Sequence, residues 1–128
     1  RRTAELTIGK DKTVKPRRIQ LPQEAAQLLA KQAKNKLPGA PLFMRANGKA
    51  WDKDSWKRPI ATAVTAAELP ADATAYTLRH STITDLVSAG LPLLTIAQIS
   101  GTSAEMIERH YGHLASDAAV KALGELAL

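Results

Sequence analysis

Two glycine breaks in the second half of the chain constrain its fold most strongly. Gly90, followed by Pro92, and Gly101 interrupt a run in which apolar residues otherwise recur at helical spacing. Glycine is common just after the end of a helix, and proline is common at the start of the next one. The pattern therefore predicts three helical segments, over residues 77–89, 92–100 and 103–110.

The rest of the chain predicts a small β-hairpin and further helices. Residues 4–8 alternate apolar and polar side chains, and residues 17–21 resume a strand-like pattern after a charged turn. Pro22 stands where helices often begin, and Asp52 or Asp54 is a candidate N-cap. Helices are predicted over residues 23–36, from the aspartates to about residue 67, and over residues 115–128, with a turn at residues 46–49. The fold class is mainly α with a small β-hairpin (α+β).

Composition limits both the core and the chemistry. The 128 residues suffice for a single domain spanning residues 1–128. Hydrophobic residues make up 45% of the chain and aromatic residues 4%, which favours an aliphatic core between packed helices. The absence of cysteine excludes disulfides and thiolate chemistry. No apolar run approaches the roughly 18 residues of a membrane span, so we expect a cytoplasmic protein.

Positive charge predominates strongly at the beginning of the chain. The formal net charge is +6, which suggests a polyanionic partner. Seven of the first 18 residues are lysine or arginine, against only Glu5 and Asp11. The candidate DNA-contacting residues on this predicted hairpin are Lys10, Lys15, Arg17 and Arg18.

A longer pattern links an arginine to a tyrosine. The sequence Leu-Arg-His-Ser-Thr at residues 78–82 is followed by Ile-Ser-Gly-Thr-Ser at residues 99–103 and then by Tyr111. Arg79 lies 23 residues before Thr102, and Thr102 lies nine residues before Tyr111. This pattern resembles the second signature box of the tyrosine recombinase (phage integrase) family. The segment over residues 10–21 is similar to the basic hairpin of the same family.

The resemblance implies a recombinase catalytic domain that acts on double-stranded DNA without a metal or other cofactor. Tyr111 would attack the scissile phosphate, form a 3′-phosphotyrosyl link and release a 5′-hydroxyl. The 5′-hydroxyl of a second strand would then attack this link and reverse the step. Arg79 would bind the phosphate, because a guanidinium donates to two oxygens and stays charged. Lys12, or Lys10 in another register, would give a proton to the leaving oxygen. Members of the family assemble on DNA as tetramers, and the resemblance implies a bacterial or phage-encoded protein at the nucleoid.

Two positions depart from the pattern of the family. Tyr76 occupies the place where a histidine usually begins the box, and Thr102 occupies a place that usually holds histidine or tryptophan. Thr102 can donate its hydroxyl to a phosphate, or it can begin a capping box that ends at Glu105. His80 is expected to be a packed helix residue. The first catalytic arginine of the family precedes the hairpin, so we expect a fragment, truncated at its N-terminal side, that is inactive alone.

Two other functions fit parts of the pattern. Tyr76 and Thr102 are compatible with a DNA-binding or interaction module that kept the recombinase fold and lost the chemistry. A helix-turn-helix regulator would use residues 92–110 as two short helices with Gly101 in the turn. Its recognition surface would carry Glu105, Glu108 and Arg109, and two acids among three residues suit a DNA groove poorly.

Overall fold

The computed structural model describes residues 4–9 and 15–126. Its elements are β1 (Glu5–Ile8), β2 (Arg17–Gln20), α1 (Gln23–Ala33), α2 (Lys57–Ala66), α3 (Ala75–Ser88), α4 (Leu93–Ser100) and α5 (Ala104–Gly124). The two strands pair with each other, and the Leu21 amide donates to the Ala4 carbonyl at 2.9 Å beyond their outer ends. The predicted fold class, mainly helical with a small β-hairpin, is confirmed.

The chain divides into two compact units. The first unit comprises Arg1–Leu6 and Gln20–Thr74, and the second comprises Thr7–Ile19 and Ala75–Leu128. The single domain over residues 1–128 stays a prediction. No helix in the described ranges has both the length and the apolar character needed to span a membrane.

Hydrogen-bonded turns, and not buried side chains, organise the first unit. Neither α1 nor α2 contains a fully buried residue. The Arg45 amide donates to the Lys49 carbonyl at 2.9 Å, and Gly48 between them has a φ of +78°. This arrangement confirms the turn predicted over residues 46–49. The Lys36 ammonium donates to the Leu42 carbonyl and anchors the loop after α1.

Both predicted helices of the first unit have different ends in the structure. Helix α1 stops at Ala33, because Lys34 has an extended ψ of 131° and Asn35 has a left-handed φ of +64°, and a right-handed helix cannot continue through either. Helix α2 begins only at Lys57, and an aspartate N-cap was the wrong prediction. The Asp52 carboxylate instead accepts hydrogen bonds from the backbone amides of Asp54 at 2.9 Å and Ser55 at 2.8 Å, in the turn before the helix.

The hydrophobic core of the second unit lies between α3, α4 and α5. Its buried residues are Ile83, Val87, Ile96 and Ile107, each no more than 4% exposed. Burying an isoleucine or valine side chain contributes about 1.5–3 kcal/mol, so these four residues favour one arrangement of the three helices. The aliphatic core expected from the composition is therefore located in the half of the chain that carries the recombinase-like pattern.

Both glycine breaks act as predicted. Gly90 has a φ of +83°, and its amide donates to the Val87 carbonyl while the Leu91 amide donates to the Leu86 carbonyl. This pair of bonds is the Schellman motif that ends many helices. Gly101 has a φ of +73° and ends α4, its amide donating to the Ala97 carbonyl at 2.8 Å.

The last helix is longer than the sequence suggested. Separate helices were expected over residues 103–110 and 115–128, but α5 runs without a break from Ala104 to Gly124. Gly112 lies between the two predicted helices and α5 continues through it, since a glycine lowers helix propensity by only about 1 kcal/mol and does not by itself end a helix. Tyr111 consequently stands in the middle of a regular helix, where its backbone is held on both sides.

Candidate functional site

A cleft of about 460 Å³ in the second unit brings the signature residues together. Helix α3 contributes Tyr76, Arg79 and His80, which share one helix face because they are spaced i, i+3 and i+4. The turn between α4 and α5 contributes Thr102. The lining residues from α5 are Met106, Ile107, His110 and Tyr111. We call this surface the Arg79–Tyr111 cleft.

The polar lining of the cleft suits an anion. None of the eight described residues that line it is acidic. Arg79 is exposed to solvent, and it forms no ion pair with a carboxylate in the described part of the chain. A guanidinium in this situation keeps all of its donors available, and two of them can bind two oxygens of one phosphate.

The hydroxyl of Tyr111 has a defined partner. Tyr111 is half-buried and packs against the buried core, and its hydroxyl is hydrogen-bonded to Nδ1 of His80. The two rings are tilted by 38°, with their centroids 6.2 Å apart. His80 is exposed, so the prediction that it is a packed helix residue is wrong. The i, i+3, i+4 spacing with Tyr76 and Arg79 was the signal that could have placed it beside them.

Thr102 lines the cleft and does not cap the helix. The N-cap of α5 is Ser103, whose side-chain oxygen accepts from the Met106 amide at 3.1 Å. The capping box predicted to begin at Thr102 is therefore displaced by one residue. Because the neighbouring serine does the capping, Thr102 lines the cleft without serving as the N-cap.

Residues of the basic hairpin have different environments. Lys12 and Lys10 lie outside the described residues, while Lys15 and Arg18 are exposed. The half-buried Arg17 donates from Nη1 to the Gln98 carbonyl at 2.9 Å and the Ile99 carbonyl at 3.4 Å. A cation there is favourable, because the last carbonyls of a helix carry partial negative charge.

The same guanidinium lies against Gly101. A Cβ atom at that position would be 2.7 Å from Cζ of Arg17, closer than real contacts allow. Nε2 of Gln98 returns a hydrogen bond of 3.0 Å to the Arg18 carbonyl. These contacts hold β2 to the end of α4, immediately before the turn that carries Thr102.

Comparison with known proteins identifies one family. The model of the phage integrase family matches residues 2–117, which is nearly the whole chain. No curated protein and no solved structure gives a significant match.

Proposed function

The chain belongs to the phage integrase family, whose members act in site-specific DNA recombination, and we propose that it carries the tyrosine that cleaves and rejoins DNA. The observation that supports this proposal is the composition of the Arg79–Tyr111 cleft. Arg79, Thr102 and Tyr111 all line this cleft, and none of the described residues that line it is acidic. These three residues are 32 positions apart in the sequence at most, and three separate elements supply them.

In the proposed reaction the Tyr111 hydroxyl attacks the scissile phosphate in line with the 5′ oxygen. The bond from Tyr111 Oη to phosphorus forms while the bond to the 5′ oxygen breaks, and a 3′-phosphotyrosyl link results. Attack by a 5′-hydroxyl of another strand reverses the step. Because one phosphoester replaces another, the exchange needs no nucleotide cofactor.

The other residues stabilise charge and move protons in this proposal. The Arg79 guanidinium binds two nonbridging oxygens, whose negative charge it offsets most strongly in the transition state. The Thr102 hydroxyl donates to a phosphate oxygen, and Tyr76 borders the substrate at the rim of the cleft. Lys12 supplies the proton that the departing 5′ oxygen requires.

The proposed substrate is duplex DNA, bound partly by the hairpin. Lys10, Lys15 and Arg18 would contact the phosphate backbone, as lysine and arginine side chains do in most protein–DNA interfaces. Arg17 contributes mainly by holding the strand, since its guanidinium donates to the carbonyls of α4.

We also propose self-association on DNA, as a tetramer in the full-length protein. The exposed apolar side chains in the last turns of α5 and just after it support self-association: Val120 is 70% exposed, Leu123 65% and Leu126 59%. Deleting residues 115–128 from the full-length protein should abolish the higher-order complex on DNA in a gel-shift assay. Assembly that survives the deletion would contradict this part of the proposal.

A second function is favoured by two specific positions. Tyr76 and Thr102 stand where the family pattern has other residues, which is compatible with a DNA-binding module that has lost cleavage. Such a module would bind duplex DNA with the same affinity whether or not Tyr111 keeps its hydroxyl, and it would form no covalent adduct.

The deciding experiment uses the full-length protein and a nicked suicide substrate, from which the cleaved end diffuses away. A covalent protein–DNA adduct should form, and Tyr111→Phe should abolish it, because the variant has no hydroxyl at this position to attack the phosphate. Gel shift and thermal unfolding of the variant show whether DNA binding and folding are intact.

Peptide mapping of the adduct provides the internal control. The chain has only two tyrosines, and trypsin separates them because Arg79 and Arg109 lie between them. The DNA remnant should be on the peptide that contains Tyr111. An adduct on Tyr76, or one that persists in Tyr111→Phe, would refute the proposed role.

A further inference from the structure

We propose that His80 is the general base that takes the proton from Tyr111, a role that rests on the proposed cleavage function. The observation is the hydrogen bond between Nδ1 of His80 and the Tyr111 hydroxyl. A tyrosine hydroxyl is a weak nucleophile while it keeps its proton, so cleavage requires a group that accepts it. General bases are recognised first by hydrogen-bond reach to that proton, and His80 has it.

The contact joins two helices that the core holds together. His80 lies on α3 and Tyr111 on α5, 31 residues apart in the sequence. The buried Ile83 lies one helical turn after His80, and the buried Ile107 lies one turn before Tyr111. The packing of these two buried residues therefore holds the helix segments that carry the imidazole and the hydroxyl.

The other groups that face His80 are unsuited to the task. Arg79 and Tyr76 come from its own helix, and His110 and Tyr111 come from α5. The guanidinium of Arg79 cannot accept a proton. His110 lines the cleft, but its ring has no hydrogen bond to Tyr111 within the described structure. His80 is the residue whose ring nitrogen contacts the Tyr111 hydroxyl.

The protons balance across the step. When Nδ1 accepts a hydrogen bond, the proton of the neutral imidazole is on Nε2. During attack the Tyr111 O–H bond breaks, its proton moves to Nδ1, and the oxygen forms the bond to phosphorus. The 5′ oxygen leaves with a proton from Lys12. In the rejoining step the imidazolium returns its proton to Tyr111 as that oxygen departs.

The test measures single-turnover cleavage of the suicide substrate by the full-length protein over a range of pH. His80→Ala and His80→Gln should each slow cleavage by about 100- to 10,000-fold, the usual contribution of a general base. His80→Gln can keep a hydrogen bond to Tyr111 but cannot take its proton, so it separates proton transfer from folding. His113→Ala, which removes an exposed histidine of the same helix as Tyr111 but away from the cleft, should leave the rate unchanged.

The pH profile gives a result that a structural role would not produce. In both His80 variants hydroxide must remove the proton of the Tyr111 hydroxyl. Their cleavage rate should therefore rise about tenfold per pH unit over the pH range in which the wild-type rate does not change. Added imidazole should partly restore His80→Ala. Unchanged rates and profiles in both variants, or faster cleavage, would overturn the role of His80.

A sulfur-substituted substrate distinguishes this base from the acid that protonates the leaving group. With a bridging 5′ sulfur the leaving thiolate needs no proton, so a Lys12→Ala defect should disappear while the His80→Ala defect persists. A His80→Ala defect that disappears would overturn the inference. If the wild-type protein forms no adduct, the proposed function itself fails; if it does and His80 is dispensable, only this inference fails.

Discussion

The two units of the chain are stabilised in different ways. The second unit contains all four fully buried hydrophobic residues of the described chain, packed between three helices. The first unit has two helices without a buried residue, and it leaves large apolar side chains exposed, such as Leu28 at 54% and Leu37 at 81%. Its turns are closed by hydrogen bonds to Asp52 and from Lys36.

The comparison shows why the candidate site lies in the second unit. Core residues lie one helical turn from the signature residues on the same helices: Ile83 is one turn after Arg79, and Ile107, which also lines the cleft, is one turn before Tyr111. A catalytic geometry must be held to within about half an ångström, which packed helices do better than loops. We therefore expect the two units to respond very differently to the loss of apolar side chains.

The largest effect is expected at Ile96, which is 0% exposed. Ile96→Ala should lower the free energy of unfolding by about 2–5 kcal/mol, because it removes buried methylene groups and leaves a cavity. Leu94→Ala is the matched control on the same helix, since Leu94 is 77% exposed, and it should cost no more than about 0.5 kcal/mol. Chemical denaturation measures both values.

Leu28→Ala extends the comparison to the first unit. Because Leu28 is about half exposed, this change should cost less than about 1 kcal/mol. Hydrogen exchange, read separately for peptides of each unit, should show Ile96→Ala loosening α3, α4 and α5. Equal destabilisation by Ile96→Ala and Leu28→Ala would remove the distinction between the units.

A medium effect is expected from alanine at the left-handed glycines. Gly48→Ala in the first unit should cost about 1–2 kcal/mol from backbone strain alone, since the added methyl group would have no neighbour within 4 Å among the described residues beyond those adjacent in the chain. Gly101→Ala should lower the free energy of unfolding by about 1.5–3 kcal/mol more than Gly48→Ala does, because the new methyl group displaces the guanidinium of Arg17 from its carbonyl partners.

A double-mutant cycle isolates that second contribution. In an Arg17→Ala background the cost of Gly101→Ala should fall to that of Gly48→Ala, because the displaced group is absent. Denaturation of the four proteins of the cycle measures the coupling. Strict additivity would show that Arg17 and Gly101 do not act together.

The smallest effect is expected at the exposed Asp52, in the first unit. The Asp54 and Ser55 backbone amides lower the pKa of its carboxyl below the ordinary value. A carboxyl whose pKa is lower in the folded state stabilises it above the unfolded pKa, and this contribution disappears as pH falls through the folded pKa. Protection of the two amides should therefore decrease only when pH falls below the ordinary range of an aspartate pKa.

Asp52→Asn tests the origin of this pH dependence. The amide oxygen of asparagine accepts hydrogen bonds at every pH, so the acid-induced loss of protection should vanish. NMR of the Asp54 and Ser55 amides between neutral and acidic pH measures it. An identical acid transition in the variant would assign the change to another group.

Sequence patterns predicted the ends of helices where one residue determines the backbone. Gly90 and Gly101 have the left-handed conformations that their positions implied. The pattern was less informative where two residues compete for one role. Ser103 and not Thr102 caps α5, and only the geometry of the turn decides between adjacent hydroxyl side chains.

The contacts of the site were harder to predict because they join distant segments. Arg79, Thr102 and Tyr111 were named from the resemblance to the recombinase signature box, and the cleft brings them together. The contact of His80 with Tyr111 depends on how α3 crosses α5, which no local pattern encodes. Likewise, a basic run does not reveal that Arg17 faces the end of α4.

The position of Arg17 changes how the charge of this protein should be counted. Salt dependence of DNA binding reports the counterions released when cations neutralise phosphates. A guanidinium oriented toward two peptide carbonyls attracts DNA from a distance but is not placed to displace a counterion from it. If the basic hairpin binds DNA as proposed, the number of phosphates that it neutralises should therefore be smaller than the number of its lysines and arginines.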